Sequence, residues 1–532
     1  MCAQKVQEPT SPDAGDPGGP SLGRTAARGV SWLLLQSLAG KLSGVAGNLV
    51  LGWLLVPEAF GLVGLAFSVS IFVSLVSQAG LREVLTQRHR KPHLWVTPGF
   101  WLSVLTGLTG MALLLGAAPI VARLYGEPEL VGLLSVLACT TLMHNLGVAA
   151  DAQLHGQMRF GLLGAFGVVN VVGKTLLTIA LAFLGFGAYS IVVPGFVFAI
   201  ITAIVYWWNA PVRPAWALQS HRWKHLVGAS VFVFGATGLY TLMTQSGSIF
   251  LGIFQTTAAV GLFYFAFALA LQPLMILGHA VRRVLLPTLA RLNGDRVRQA
   301  LALERSTRLL MLAVIPLAWF QIALARDFMD AVFPDRWAPA AVVLQMLSIA
   351  IPLRTFGWTG GAALQAQARF KTQFMLSVVG VLGAMGVASA TAYAGPVWLV
   401  ALGFSGFVMI LEPATYALAT RRPAGEALAP FVRPLLVGAL ATGVCWVVAE
   451  AVRPLHPSPW APLLSGGACG LGAYALLIRW LLPRDWGELI EQMSHAAPGT
   501  AGRAIARLAP PAPASVPIPT PTPPASHTRR AS

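Results

Sequence analysis

The chain has 532 residues, 56% of them hydrophobic and only 10% charged, with a mean hydropathy of +0.70. A soluble chain carries about a quarter charged residues, so this one lacks the groups to cover a water-facing surface, and its long apolar runs make it an integral membrane protein. The net charge of +17, from 36 Lys and Arg against 19 Asp and Glu, does not indicate nucleic acid, because the basic residues sit in short loops between apolar runs.

Residues 1–27 are polar and rich in Pro and Gly and read as a disordered arm without a cleavable signal. Fourteen apolar runs follow, each near the ~20 residues that cross the hydrocarbon of a bilayer. They cover 30–55, 60–79, 98–122, 129–150, 161–184, 187–208, 226–250, 258–281, 309–329, 339–358, 372–394, 396–420, 432–452 and 460–482. The runs are too long and too uniform to be barrel strands, so the expected fold is all-α. The tail at 484–532 begins with an amphipathic piece and ends in Pro, Ala, Thr and Ser, which cannot pack a core. An even number of spans puts both termini on one side, and 29 of the 36 Lys and Arg lie on that side. The excess of basic residues makes it the cytoplasmic side.

The chain repeats itself. At an offset of 200, Leu51, Gly52, Ala59, Gly61, Leu62, Ala66, Phe67, Arg82, Val84 and Leu85 match identical residues at 251–285. At an offset of 210, Gly147, Leu154, Gln157, Arg159 and Phe160 match Gly357, Leu364, Gln367, Arg369 and Phe370. Six spans separate the copies, so both have the same orientation, which is a parallel repeat. The expected architecture is an N-lobe at 28–225 and a C-lobe at 226–425, with two further spans at 430–483. Two such lobes rock about a midplane site, as in a transporter.

An ionisable residue at mid-membrane costs about 3 kcal/mol or more and usually faces a bundle interior or a cavity. Lys41 lies mid-span with Ser37, Gly44 and Asn48 on its face, and the same face of span 7 carries Thr237, Thr241, Thr244 and Ser248. Asn170, Lys174 and Thr178 share a face of span 5. His144 aligns with Arg354 in the repeat, and a phosphate between two such cations would satisfy both. Packing competes with this reading, since His144 also fits a neutral core histidine and Arg354 also fits a structural ion pair with Glu412. The candidate substrate-binding residues are therefore Lys41, Asn48, His144, Lys174, Thr241 and Arg354. Alanine at Lys41 or Arg354 is expected to abolish transport without loss of membrane insertion.

No GxxxxGK[ST], HExxH or GxSxG is present, and the four cysteines form no CxxC pair. The chain reads as no enzyme, with no metal and no cofactor. A membrane glycan polymerase or glycosyltransferase would need a larger outer loop. A multidrug exporter or a peptidoglycan-precursor flippase remains the nearer alternative.

Several ordered motifs carry a family resemblance over most of residues 25–425. They are Arg28-Gly-Val-Ser-Trp32, Leu55-Val-Pro-Glu-Ala-Phe-Gly61, Gln78-Ala-Gly-Leu81 with Gln87-Arg88, Leu184-Gly-Phe-Gly-Ala-Tyr189, Pro287, Pro316 and Asp335-Arg-Trp337. In these the chain resembles the Wzx-type polysaccharide flippases, a branch of the multidrug/oligosaccharidyl-lipid/polysaccharide exporter superfamily. The resemblance implies export of a lipid-linked oligosaccharide on an undecaprenyl-type carrier, by alternating access, for surface or exopolysaccharide biosynthesis. It leaves proton or sodium coupling open, and makes membrane lipid and other polysaccharide-assembly proteins the candidate partners.

Overall fold

The computed structural model describes residues 22–78, 81–87, 92–217, 219–223, 231–292 and 294–496. Most of the arm at 1–27 and of the tail at 484–532 lies outside them. The described residues are helical, with no strand among them, as a bilayer demands of a chain that must bond its backbone internally. In chain order the first seven helices are α1 (Leu22–Leu54), α2 (Pro57–Gln78), α3 (Leu81–Gln87), α4 (Pro92–Tyr125), α5 (Glu129–Gly156), α6 (Phe160–Phe183) and α7 (Tyr189–Asn209). The next seven are α8 (Val231–Phe254), α9 (Thr257–Arg291), α10 (Arg296–Val332), α11 (Ala340–Ile349), α12 (Ile351–Ala366), α13 (Phe370–Ala394) and α14 (Val397–Thr420). Three helices follow: α15 (Ala424–Val452), α16 (Trp460–Leu481) and α17 (Pro483–Ala496).

Among the described residues eleven helices are long and apolar enough to cross a membrane, or twelve when α11 and α12, bent by 47° at Ala350, count as one broken span. The fourteen expected are not reached on apolarity, and the difference falls on α1 and α8. Both are long enough, at 33 and 24 residues. Gln36, Lys41 and Asn48 interrupt the first, and Thr244, Gln245, Ser246 and Ser248 the second. Polar side chains inside spans lower hydropathy where the helix faces protein or water rather than lipid.

The repeat is visible in the packing. α1 packs along α6 as α8 packs along α13, and α5 on α7 as α12 on α14. The two lobes meet where α2 crosses α9. There the contacts are reciprocal: a side chain on Gly61 would run into the backbone carbonyl of Thr257, and one on Gly261 into that of Pro57. Gly52 sits against Phe265 and Phe333, while Gly252 sits against Leu65 and Tyr125. Residues that match at the 200 offset thus face each other across a local twofold, and only glycine lets the backbones come this close.

α15 and α16 attach to α10. Tyr474 Oη donates to the Leu312 carbonyl at 2.7 Å, and Arg453 grips buried Asp327 through two bonds of 2.9 and 2.8 Å. At the opposite end of α10, Arg308 and Arg305 hold α17 through Asp485 (3.2 Å) and Glu488 (3.0 Å).

Candidate functional site

Two ends of the bundle differ. At the end where α1 finishes and α2 begins, the lobes are joined. Trp337 is fully buried, lies tilted against Phe265 at 4.1 Å between ring centroids, and donates from Nε1 to the Gly52 carbonyl at 2.7 Å. Arg336 donates to the Trp53 carbonyl, and Thr257 donates to the Glu127 carboxylate. At the other end Arg82 and Arg282 bond within their own lobes, while deeper in the bundle Lys41 of α1 bonds across the lobes to the Ile276 carbonyl of α9. Arg82 Nε binds Asp151 Oδ2 at 2.7 Å, His155 Nδ1 lies 3.0 Å from Asp151 Oδ1, and Arg82 Nη2 lies 3.1 Å from His155 Nε2. In the second lobe Arg282 Nη2 donates to Gln365 Oε1 at 3.2 Å. These are repeat equivalents, Arg82 with Arg282 and His155 with Gln365.

A cavity of about 560 Å³ lies inside the first lobe, between α1, α2, α5, α6 and α7. It starts at Arg82 and Asp151 and reaches past His144 to Lys174 near mid-membrane. Its wall carries the amide of Gln36, the hydroxyls of Ser70, Ser74 and Thr140, and the pair Asn170 to Thr202, joined by a bond of 2.8 Å from Nδ2 to Oγ1. Lys174 is exposed to this space, and no carboxylate meets its ammonium among the described residues. The Gly195 position of α7 faces its Nζ, so that no side chain covers it. A wall of uncharged donors and acceptors with one free ammonium suits a hydroxyl-rich ligand carrying an anionic group.

The structure divides the sequence-derived candidates. Lys174 and His144 come together on the cavity wall, and His144 is exposed there rather than packed in the core. Arg354 is not on that wall. It is 2% exposed, lies 5.8 Å from the ring centres of both Phe267 and Phe404, and donates to Tyr240 Oη at 3.0 Å. The expected phosphate site between His144 and Arg354 is therefore absent, because Phe404 of α14 covers the guanidinium. No ion pair joins Arg354 to Glu412 within 4 Å either, and Glu412 Oε1 and Arg354 Nε are each left without a hydrogen-bond partner. Lys41 donates from Nζ to the Ile276 carbonyl of α9, which makes it a tie between lobes rather than a free cation. Asn48 and Thr241 are half-buried and do not line the first-lobe cavity. Thr237, on the same face of α8 as Thr241, has no described side chain.

Sequence reading passed over Asp151 and His155 as site residues. A carboxylate four residues before a histidine at the end of an apolar helix, with the repeated Arg82 opposite, was the available signal.

The signature of the polysaccharide biosynthesis protein family matches residues 50–342. The succinoglycan biosynthesis transport protein ExoT of Rhizobium meliloti is 24% identical over 497 residues, 90% of this chain and 98% of that protein. The teichuronic acid biosynthesis protein TuaB of Bacillus subtilis is 24% identical over 358 residues, 67% of this chain and 74% of that protein. Among solved structures, the lipid II flippase MurJ in its inward closed conformation aligns with a TM-score of 0.70 at 13% identity, over 85% of this chain and 99% of that one. An inward-facing multidrug resistance MATE family transporter aligns at 0.56 and 16% identity, over 76% and 99%. The fold is thus the one these transporters share. With the family signature spanning more than half of its length, the chain is a multi-pass membrane member of the polysaccharide biosynthesis protein family.

Proposed function

We propose that the protein flips a lipid-linked oligosaccharide across the bacterial inner membrane by alternating access. The observation that carries this reading is the first-lobe cavity, which holds the free ammonium of Lys174 among uncharged polar groups while the opposite end of the bundle is sealed between lobes. A glycan joined to its lipid through phosphate or pyrophosphate presents the matching chemistry. The anion meets Lys174 and His144, and sugar hydroxyls meet Asn170, Thr202 and Gln36. The lipid chain stays outside in hydrocarbon.

The excess of basic residues assigns the Arg82 end, with both termini, to the cytoplasm. The cavity then faces the compartment in which the glycan is assembled, and the Trp337 seal faces outward. Transport requires that seal to part. Its polar share is three side-chain bonds, from Trp337, Arg336 and Thr257, worth roughly 1 kcal/mol net for the neutral one and roughly 1.5–3 kcal/mol for each of the two with a charged partner, so opening is within reach of binding energy. Relatives named for polysaccharide biosynthesis support this substrate class over drug export.

The test is flipping of a fluorescent lipid-linked oligosaccharide in proteoliposomes. Lys174→Ala is expected to slow flipping by at least about tenfold, the loss of a charge-assisted hydrogen bond of roughly 1.5–3 kcal/mol, while Lys174→Arg keeps most of it. Wild-type rates in Lys174→Ala would contradict the reading.

A further inference from the structure

The second lobe holds a charged group of the opposite sign, and it is not part of the glycan cavity. Glu412, on α14, is 4% exposed and borders a cavity of about 180 Å³ together with Tyr240, Arg282, Gln373, Ser377 and Thr415. Its Oε1 is sealed from solvent without a hydrogen-bond partner among the described residues. The carboxyl occupies the space where a side chain of residue 357 would stand, so Gly357 is what admits it. One helix away, Arg354 is equally buried, leaves its own Nε without a partner, and spends its guanidinium on Tyr240 and two aromatic faces.

A buried carboxylate and a buried guanidinium that are near neighbours gain much by pairing, and leaving either unpaired is costly. Left apart from the guanidinium, the carboxyl is held at least cost as the neutral acid, because an ionised carboxylate without a hydrogen-bonded partner is far more costly to bury. The helices packed on α14 bring two positive charges to this carboxyl and, among the described residues lining the cavity, no second carboxyl group. α12 contributes Arg354, α8 contributes Tyr240 and α9 contributes Arg282. α13 supplies only Gln373 and Ser377, α11 has no titratable residue, and α15 meets Tyr416 of α14 through Phe431. Two arginines also make a poor cage for a metal cation, which leaves the proton.

We propose that Glu412 is the proton-binding site of the transporter, occupied in the state with the sealed Trp337 end. When its O–H bond breaks, the proton passes to water in the small cavity and leaves past Arg282. The carboxylate so formed draws Arg354 away from Tyr240. Arg354 lies in the first turn of α12, directly after the 47° bend at Ala350, so the new ion pair re-aims a half-span. This deepens the flippase reading by naming the coupling ion, and rests on that reading only for its functional consequence.

The site is tested without substrate, on the purified full-length protein, by infrared titration of the protonated-carboxyl stretch. Wild type is expected to show a band that titrates away as pH rises and that Glu412→Gln lacks. Gly357→Ala, which displaces the carboxyl without removing it, is expected to shift the band, and this arm stands if Glu412→Gln fails to fold. A Glu412→Gln spectrum identical to wild type, or an unmoved band in Gly357→Ala, overturns the proposal. In vesicles, flipping by wild type should follow an imposed pH gradient and flipping by Glu412→Gln should not. If Glu412→Gln still follows the gradient, the proposal also fails. Failure in the titration leaves the flippase reading standing, whereas failure of that reading would show as an absence of flipping at every pH.

Discussion

Lys41, Lys174 and Arg354 are the same kind of signal in a sequence, a cation inside an apolar run, and their surroundings give them three different roles. Lys174 is left open by Gly195, Arg354 is covered by Phe404, and Lys41 reaches a backbone carbonyl in the other lobe. Nothing in hydropathy or helical spacing encodes which long-range neighbour arrives, so the positions of the cations were legible and their roles were not. Removing the Lys41 tie should cost roughly 1.5–3 kcal/mol, the range for a hydrogen bond from a charged group. Lys41→Ala is expected to lower the melting temperature of the purified protein and to change the flipping rate without abolishing it. Complete loss of flipping with unchanged melting would instead make Lys41 a substrate ligand.

At the scale of the helix, twelve of the expected spans were legible because a stretch of ~20 apolar residues leaves little choice in a bilayer. The two whose apolarity falls short, α1 and α8, each pack along a partner helix and also reach the other lobe, α1 through Lys41 and α8 against α2. The 47° break at Ala350 was not legible, although Pro352 directly follows it and disfavours continuous helix there. Contacts between helices make two further predictions. Gly61→Val places a branched side chain against the Thr257 carbonyl, and overpacking of this kind costs about 1–3 kcal/mol. The variant should melt earlier and should expose a cysteine placed near Trp337 to a water-soluble thiol reagent; an unreactive cysteine would show that the seal does not depend on the close approach. Arg453→Ala leaves Asp327 buried and unpaired. The cost should be about 3 kcal/mol, the low end for a broken buried pair because Arg453 keeps a quarter of its side chain in solvent. It should be read as loss of α15–α16 protection in hydrogen exchange, with the first lobe unaffected.

For the whole molecule, the ten matches at an offset of 200 foretold a parallel repeat, and the facing of Gly61 with Thr257 and Gly261 with Pro57 is its physical form. Duplication produces two lobes of one shape, and divergence then separates their chemistry. The first lobe keeps an open cation on a polar wall, and the second buries a carboxyl beside an aromatic-capped arginine. That division explains why matching His144 to Arg354 pointed to a shared phosphate site that the structure does not contain. Equivalent positions in a repeat share a backbone, while the residues covering them are free to differ.

The proposed reaction moves a lipid-linked glycan from one leaflet to the other. The most direct measurement is the pool of lipid-linked glycan in cells lacking the protein, with sidedness read by a membrane-impermeant glycosidase. Complete repeat units are expected to accumulate and stay protected, facing the cytoplasm, until wild-type protein but not Lys174→Ala is restored. Repeat units that reach the outer face without the protein would contradict it.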